Sequence, residues 1–494
     1  MTVTQADAGT LWEELAARVA AGDRFAGLFG ARPADGPLVL SAHLAVRGEG
    51  PGGTGGGSPP CRKEVGGRID TLEAPLPPGA ASYPALTPRL GAAFWYERVI
   101  HNRFGVVPDG HPRLAPLIRP ATPEDYALPR HVAGYGVFTI PHGPVRSGVM
   151  EAIEYLVETP GEAIPHLNMR VFYKHRGVAE RFAGMTPADA VLLAERAEGI
   201  ASVAHALAIC HAVEQIAGCQ PPPAAGLVRV LHAELERIAN HLDVAVRLAD
   251  AAGLAVATAR FALHKERVQR LVSALCGSRF GRGVVVPGGV TALPLLPPAQ
   301  ILAGADKLRK AITADAEALM GTSSFLDRLR GTGPLTPARA RQHGALGPIG
   351  KASGYADDAR LTRPYDGYWS LAVAQAPAHA AGDALARLWV RWEEVDQAFG
   401  LIRQAAEDLA ERAGDPARLP CEPVRGRAAG WAEAAQGEVL YDVELTDGRV
   451  ARCQPRSASF HNLVLMHEVF TGDILTDFPF IEASFGLSVA GVAL

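Results

Sequence analysis

TPADAVLLAERAEGIASVAHALAICHAVEQIAG, residues 186–218, is the stretch on which the reading of this chain turns. Thr186 offers a capping hydroxyl, Pro187 fits the first helical position and Asp189 the third, so a helix is predicted to begin here. Leu192, Leu193, Val203, Leu207, Ile209, Val213 and Ile216 recur at roughly helical spacing, and Gly218 sits where a C-capping glycine belongs. The same apolar stretch carries Glu195, Arg196, Glu198, His205, His211 and Glu214. Burying that many polar groups is costly unless they are paired or line a cavity. These groups are therefore read either as satisfied core networks or as the lining of a cavity.

Upstream, GPVRSG (143–148) and VFYKHRG (171–177) bracket a strand-rich region over 131–180, with short β-branched and aromatic runs separated by glycines. Downstream, 224–253 and 378–413 read as long amphipathic helices. Glu234 and His241 lie seven apart on one helix face, with Arg237 four before His241. Residues 346–369 form a polar, glycine-rich loop in which Ser353, Asp358 and Arg360 are expected to lock it over the helix pair. Strands at 425–463 are expected to turn at Asp447-Gly448. At the N-terminal end, strands are predicted at Pro37–Arg47 and Glu64–Leu72 and a helix from 92 to Phe104-Gly105. The intervening GEGPGGTGGGSPP (48–60) reads as a disordered linker.

The 494 residues exceed one core and imply two or three domains. A formal charge of −4 proposes no nucleic acid, and no apolar run reaches the ~18–20 residues a membrane span needs. The opening 25 residues read as a charged amphipathic helix rather than a signal peptide, so membrane contact is expected only through partners. Six cysteines are present, with no CxxC pair and no zinc-type Cys/His spacing, so no metal ligand set is read and reduced thiols are expected.

The motifs GPVRSG, FYKHRG and ERAEGIASVAHALAICHAVE resemble those of the large subunit of energy-converting (group 4, formate hydrogenlyase type) nickel–iron hydrogenases. They are also similar to the quinone-site subunit of respiratory complex I, NADH-quinone oxidoreductase. ERVIHNRFGVVPDGHPRLAPLIRP (97–120) resembles the small peripheral subunit of complex I, here fused ahead of the large module. The resemblance implies an α+β protein. A small α+β domain (1–125) would precede a mainly helical hydrogenase-large-subunit-like domain with peripheral strands (126–494).

Hydrogenases of this family carry ERxCGxCxxAH and a C-terminal DPCxxC, whose four thiolates hold nickel. Against that pattern the four positions are Glu198, Ala201, Ser488 and Gly491. Nickel–iron chemistry needs soft thiolates, so the centre is expected to be absent. The histidine after GPV is Arg146, the glutamate of HRGxE is Ala179, and the complex I tyrosine that meets quinone is Gly199. The resemblance thus implies a cavity with Arg146, Glu198, His205 and Asp250 as candidate catalytic groups. His142 and Arg282 are weaker analogues of the quinone cavity. It also implies a subunit that passes electrons from an iron–sulfur cluster in a small partner to a quinone or other acceptor, within a complex using NADH/quinone or a related pair. Ferredoxin-like and antiporter-like membrane subunits would be further partners, on the cytoplasmic side of the cell membrane. The alternative is a non-catalytic subunit that joins the iron–sulfur partner to the membrane module.

Overall fold

The computed structural model describes residues 3–33, 36–48, 67–118, 130–146, 152–375, 379–412 and 414–494. Most of the linker read at 48–60, Cys61, and Ser147 and Gly148 of the GPVRSG motif lie outside these residues.

The N-terminal portion is a four-stranded sheet in the order β1 (Val3–Gln5), β4 (Arg68–Pro75), β3 (Val39–Val46), β2 (Arg24–Ala31). Helix α1 (Ala8–Ala21) buries Leu11, Trp12 and Leu15 in a core shared with α2 (Phe94–Phe104) and the short pair β5 (Ser82–Pro84) and β6 (Val107–Asp109). Asp7 caps α1, and Gly105, at φ +72°, ends α2.

Strands β7 (Phe138–His142), β8 (Glu154–Thr159) and β9 (His166–Arg170) make an antiparallel sheet. After α3 (Val178–Arg181) come α4 (Pro187–Ala194) and α5 (Ser202–Ala217). The single helix read across 186–218 is therefore two helices joined by residues 195–201. Thr186 caps α4 through the Asp189 N–H, and Gly218 ends α5 at φ +64°, both as the sequence implies. The break has a partner the local sequence cannot reveal. The Glu236 carboxylate, from α6 (Pro223–Ala251), accepts the Val203 and Ala204 N–H groups at 2.7 and 3.1 Å. It caps the start of α5 from the neighbouring helix.

Helices α6, α7 (Ala255–Cys276), α8 (Pro298–Met320) and α13 (Ala384–Ala410) form the main bundle around the largest apolar core. The two-residue strands β10 (Val285–Val286) and β11 (Gly289–Val290) separate α7 from α8. Between α8 and α13 lie α9 (Ser323–Leu329), α10 (Pro337–His343), α11 (Gly347–Ala352) and α12 (Ala359–Thr362). The expected 346–369 loop is thus largely short helix. Its Asp358 and Arg360 are buried in ion pairs, whereas the Ser353 hydroxyl only reaches back to Ile349 O at 3.0 Å.

The chain closes with the meander β12 (Gly426–Ala434), β13 (Gly437–Thr446), β14 (Arg449–Arg456). It turns at Asp447-Gly448 with φ of +52° and +72°, as a two-residue hairpin loop requires. Gly430 lets β12 lie against α5, since a Cβ there would come within 2.1 Å of Ala208 O. Helices α14 (Ala458–Asn462), α15 (Met466–Val469), α16 (Phe478–Phe485) and α17 (Val489–Val492) follow. The N-terminal sheet docks on this meander through Arg24 with Glu438 (2.7 Å) and Arg427 with Glu73, and on the segment before α12 through Arg24 with Asp357 (2.5 Å). No helix among the described residues is long and apolar enough to cross a membrane.

Candidate functional site

The loop between α4 and α5 and the C-terminal α17 meet. Gly491 lies so close to Glu198 that a Cβ on it would sit 2.6 Å from the carboxyl carbon and 2.8 Å from each oxygen. Ser488 caps α17 by accepting the Gly491 N–H at 3.3 Å, and its own N–H donates to Ser459 Oγ at 3.0 Å. The Ser459 hydroxyl in turn donates to Glu198 Oε1 at 3.0 Å. Glu198 and Ser459, 261 residues apart in the chain, are thereby held to one point with Gly491. Arg176, from the HRG motif, clamps both sides: Nη2 donates to Ala197 O (2.6 Å) and Ala490 O (2.7 Å), and Nη1 to Arg196 O (3.2 Å).

From Glu198 a hydrogen-bonded chain runs inward. Glu198 Oε2 lies 3.1 Å from His205 Nε2, in the first turn of α5, and His205 Nδ1 lies 2.8 Å from the Tyr441 hydroxyl on β13. With Glu198 ionised, Nε2–H donates to it and Nδ1 accepts from Tyr441, a tautomer set by the network. Ser459, Glu198, His205 and Tyr441 are all buried. Burial, then Cys453 and Glu198 nearby, push the Tyr441 hydroxyl well above its ordinary value, so it stays protonated.

Two cavities flank this loop. One, of about 100 Å³, is walled by Gly199, Ile200, His232, Glu236, Lys265 and Phe280. Glu236 faces into it, and burial, opposed by its two backbone N–H partners, pushes its carboxyl up to about 8. The other, of about 70 Å³, lies on the Gly491 side among Phe172, His175, Phe460 and Val492 and against Tyr96 of the N-terminal portion.

The structure brings Glu198 and His205 together and places Arg282 at the edge of the same loop, Nε 3.4 Å from Ser202 Oγ. It does not bring the other candidates there. Arg146 is held two-pronged by Glu482 (2.9 and 2.6 Å), which Tyr155 also engages at 2.8 Å, so its charge is spent on α16. His142 is exposed on β7, edge-on to Phe478 at 5.1 Å. Asp250 is exposed in the last turn of α6, fourteen residues past Glu236, about 21 Å along the axis at 1.5 Å per residue. Its acidic position is not matched by a place in the cavity, because α6 carries it out to solvent.

Sequence reasoning missed Ser459, Tyr441 and Glu236. Arg176 was visible inside FYKHRG. Glu236, one residue from a helix face already rich in charge, carried no distinguishing signal.

Nickel–iron chemistry was tested on the side chains present. The four positions offer a carboxylate, a methyl, a hydroxyl and no side chain, and the Glu198 carboxylate fills the space against Gly491. This set does not fit a centre that requires four soft thiolates. The five described cysteines (210, 219, 276, 421 and 453) are free thiols outside the hydrogen-bonded chain.

Residues 252–422 match the family described as the respiratory-chain NADH dehydrogenase 49 Kd subunit. The carbon monoxide-induced hydrogenase of Rhodospirillum rubrum is 29% identical over 351 residues, covering 70% of this chain and 96% of that protein. Formate hydrogenlyase subunit 5 of Escherichia coli is 28% identical over 447 residues, covering 84% and 77%. A chain of the archaeal membrane-bound sulfane sulfur reductase shares the fold, with TM-score 0.68 at 22% identity over 74% of this chain and all of that one. The protein is thus similar to subunits of hydrogenases and of respiratory NADH dehydrogenase, and these relatives are subunits of membrane-bound oxidoreductase complexes.

Proposed function

We propose that this chain is the large peripheral subunit of a membrane-bound oxidoreductase complex on the cytoplasmic side of the cell membrane. In this reading it binds no nickel, and electrons arrive from an iron–sulfur cluster in a small partner subunit. They pass to a quinone or another two-electron acceptor, and membrane antiporter-like subunits couple the reaction to ion movement. A ferredoxin-like subunit completes the electron supply.

The observation that carries the reading is the Ser459–Glu198–His205–Tyr441 chain, which starts where Glu198 and Gly491 meet, two of the four positions where the resemblance would put the metal thiolates. Reducing a quinone to a quinol takes two electrons and two protons. Glu198 and His205 are groups that can bind and release protons within one hydrogen-bond step of each other, and such a pair serves as acid and base without a metal. Arg176 fixes the loop backbone on both sides, so the carboxylate is held in one geometry. The cavity walled by Gly199 and Ile200 gives access to the same loop, and its Glu236 carboxyl, at about 8, exchanges protons near neutral pH.

A second reading, a subunit that only joins the iron–sulfur partner to the membrane module, is favoured by one observation: Glu198 is 1% exposed and both its oxygens have partners. Purifying the whole complex and titrating it with quinones and low-potential donors separates the two. The electron-transfer reading expects acceptor reduction without hydrogen uptake, and nickel far below one atom per complex. Stoichiometric nickel with hydrogen uptake contradicts both readings; intact clusters with no reducible acceptor leave the scaffold.

A further inference from the structure

His131, Glu158 and His166 form a cluster with no part in the reading above. One nitrogen of each imidazole and one Glu158 oxygen all lie within 4.8 Å of one another. The fold builds this convergence. Glu158 on β8 pairs directly with His166 on β9, and His131 lies just ahead of β7. Glu158 Oε2 accepts the N–H groups of His131 (2.8 Å) and Val132 (2.6 Å), which fixes the carboxylate and draws His131 over it.

The remaining contacts are poor hydrogen bonds and good ligand spacings. His131 Nδ1 lies 3.6 Å from Glu158 Oε1, beyond hydrogen-bond range. Two ligands each 2.0–2.1 Å from a tetrahedral ion are roughly 3.4 Å apart. Asn168 Nδ2 bridges weakly, 3.4 Å from both His131 Nδ1 and Glu158 Oε1. His166 Nε2 is buried with no hydrogen-bond partner among the described residues. The two imidazole rings lie 4.1 Å apart.

The charges nearby select the kind of ion. Arg113 reaches the Asn168 carboxamide oxygen, and its cation opposes an ion held by charge alone. His467, buried close by, is pushed down to about 3 by burial and then by Arg113, Arg98, His166 and His131, so it adds no charge. Two imidazoles and one carboxylate suit a borderline transition ion and not magnesium or calcium, which want oxygen.

We propose that His131, Glu158 and His166 bind a divalent transition-metal ion, zinc being the first choice, with solvent completing the coordination on the exposed His131 side. The ion staples the segment ahead of β7 to the β8–β9 hairpin. Spacings of 27 and 8 residues match no zinc signature, which is why the sequence alone suggests no site.

The full chain, stripped with chelator, is titrated with zinc by calorimetry and with cobalt(II) by visible absorption. One zinc per chain is expected, with cobalt d–d bands of a four- or five-coordinate nitrogen/oxygen site. His131→Ala, Glu158→Gln and His166→Ala should each weaken binding by at least about tenfold. His131 is exposed, so His131→Ala keeps the fold, checked by circular dichroism, and carries the test if the buried variants fail. No zinc binding at micromolar concentrations, or equal binding by His131→Ala/Glu158→Gln, overturns the proposal. The result is independent of any acceptor the complex reduces.

Discussion

Two buried polar regions of this molecule are built on opposite principles. Beneath α6 and α13, Arg237, Lys351 and Arg360 meet Glu234, Asp358 and Glu394 in direct pairs of 2.6–3.1 Å, and three cations balance three acids. His241 adds a 2.8 Å contact to Glu394. Around Glu198 the hydrogen-bond partners are a hydroxyl and an imidazole, with no lysine or arginine among them. In the first region burial raises the carboxyl pKa but the cations win, so Asp358 and Glu394 are held far below their ordinary values and stay ionised. A charge-balanced network of that kind fixes a geometry. No such charge balance surrounds the Glu198 carboxyl group.

The contrast predicts unequal responses to mutation. Arg360→Met removes the cation between Glu234 and Asp358 and leaves two buried acids undercompensated. A loss of about 3–5 kcal/mol is expected, read by denaturant unfolding. Gly491→Ala forces a methyl against the Glu198 carboxylate and breaks its buried hydrogen bonds, an expected cost of about 1–3 kcal/mol. Combined with Glu198→Ala the cost should largely disappear. Additive costs in that double-mutant cycle would mean that the two segments do not touch.

A third test uses the odd member of the charged region. Glu433 takes one N–H from Ala359 at 2.9 Å, and burial, then Asp358, push its carboxyl up to about 8. The folded protein therefore holds this proton to higher pH than the unfolded chain, whose carboxyl titrates near 4.5. The stabilising contribution is complete below about 4.5 and is lost as pH rises through 8. Glu433→Gln should flatten the fall in stability across that window, and an unchanged slope would place the titration elsewhere. The smallest effect is expected from Asp250→Asn. At an exposed position it should alter stability by less than about 0.5 kcal/mol and leave turnover unchanged.

What was legible in the sequence follows the same division. Caps and breakers announced themselves, as at Thr186, Gly218, Gly105 and Asp447-Gly448, because they act within a few residues. The 224–253 and 378–413 helices were visible in their apolar periodicity. The interruption at 195–201 was not, because it depends on Glu236, more than thirty residues away, to cap α5. Glu198 and His205 stood out only through the family resemblance, and Ser459 and Tyr441 join them only through the tertiary fold. Arg146 was read as a candidate catalytic group of the cavity. Its carboxylate, Glu482, is 336 residues away, and no local pattern could have named it.

The account stands or falls on Glu198. The direct measurement is turnover of the purified complex carrying Glu198→Gln, with subunit composition and iron–sulfur spectra shown to match the parent. A glutamine keeps the shape and a hydrogen-bonding oxygen but cannot carry the proton. Turnover should fall on the order of 100-fold. Turnover equal to the parent's, in a complex assembled to the same extent, would contradict a proton-carrying role for this residue and leave the pocket as a structural joint.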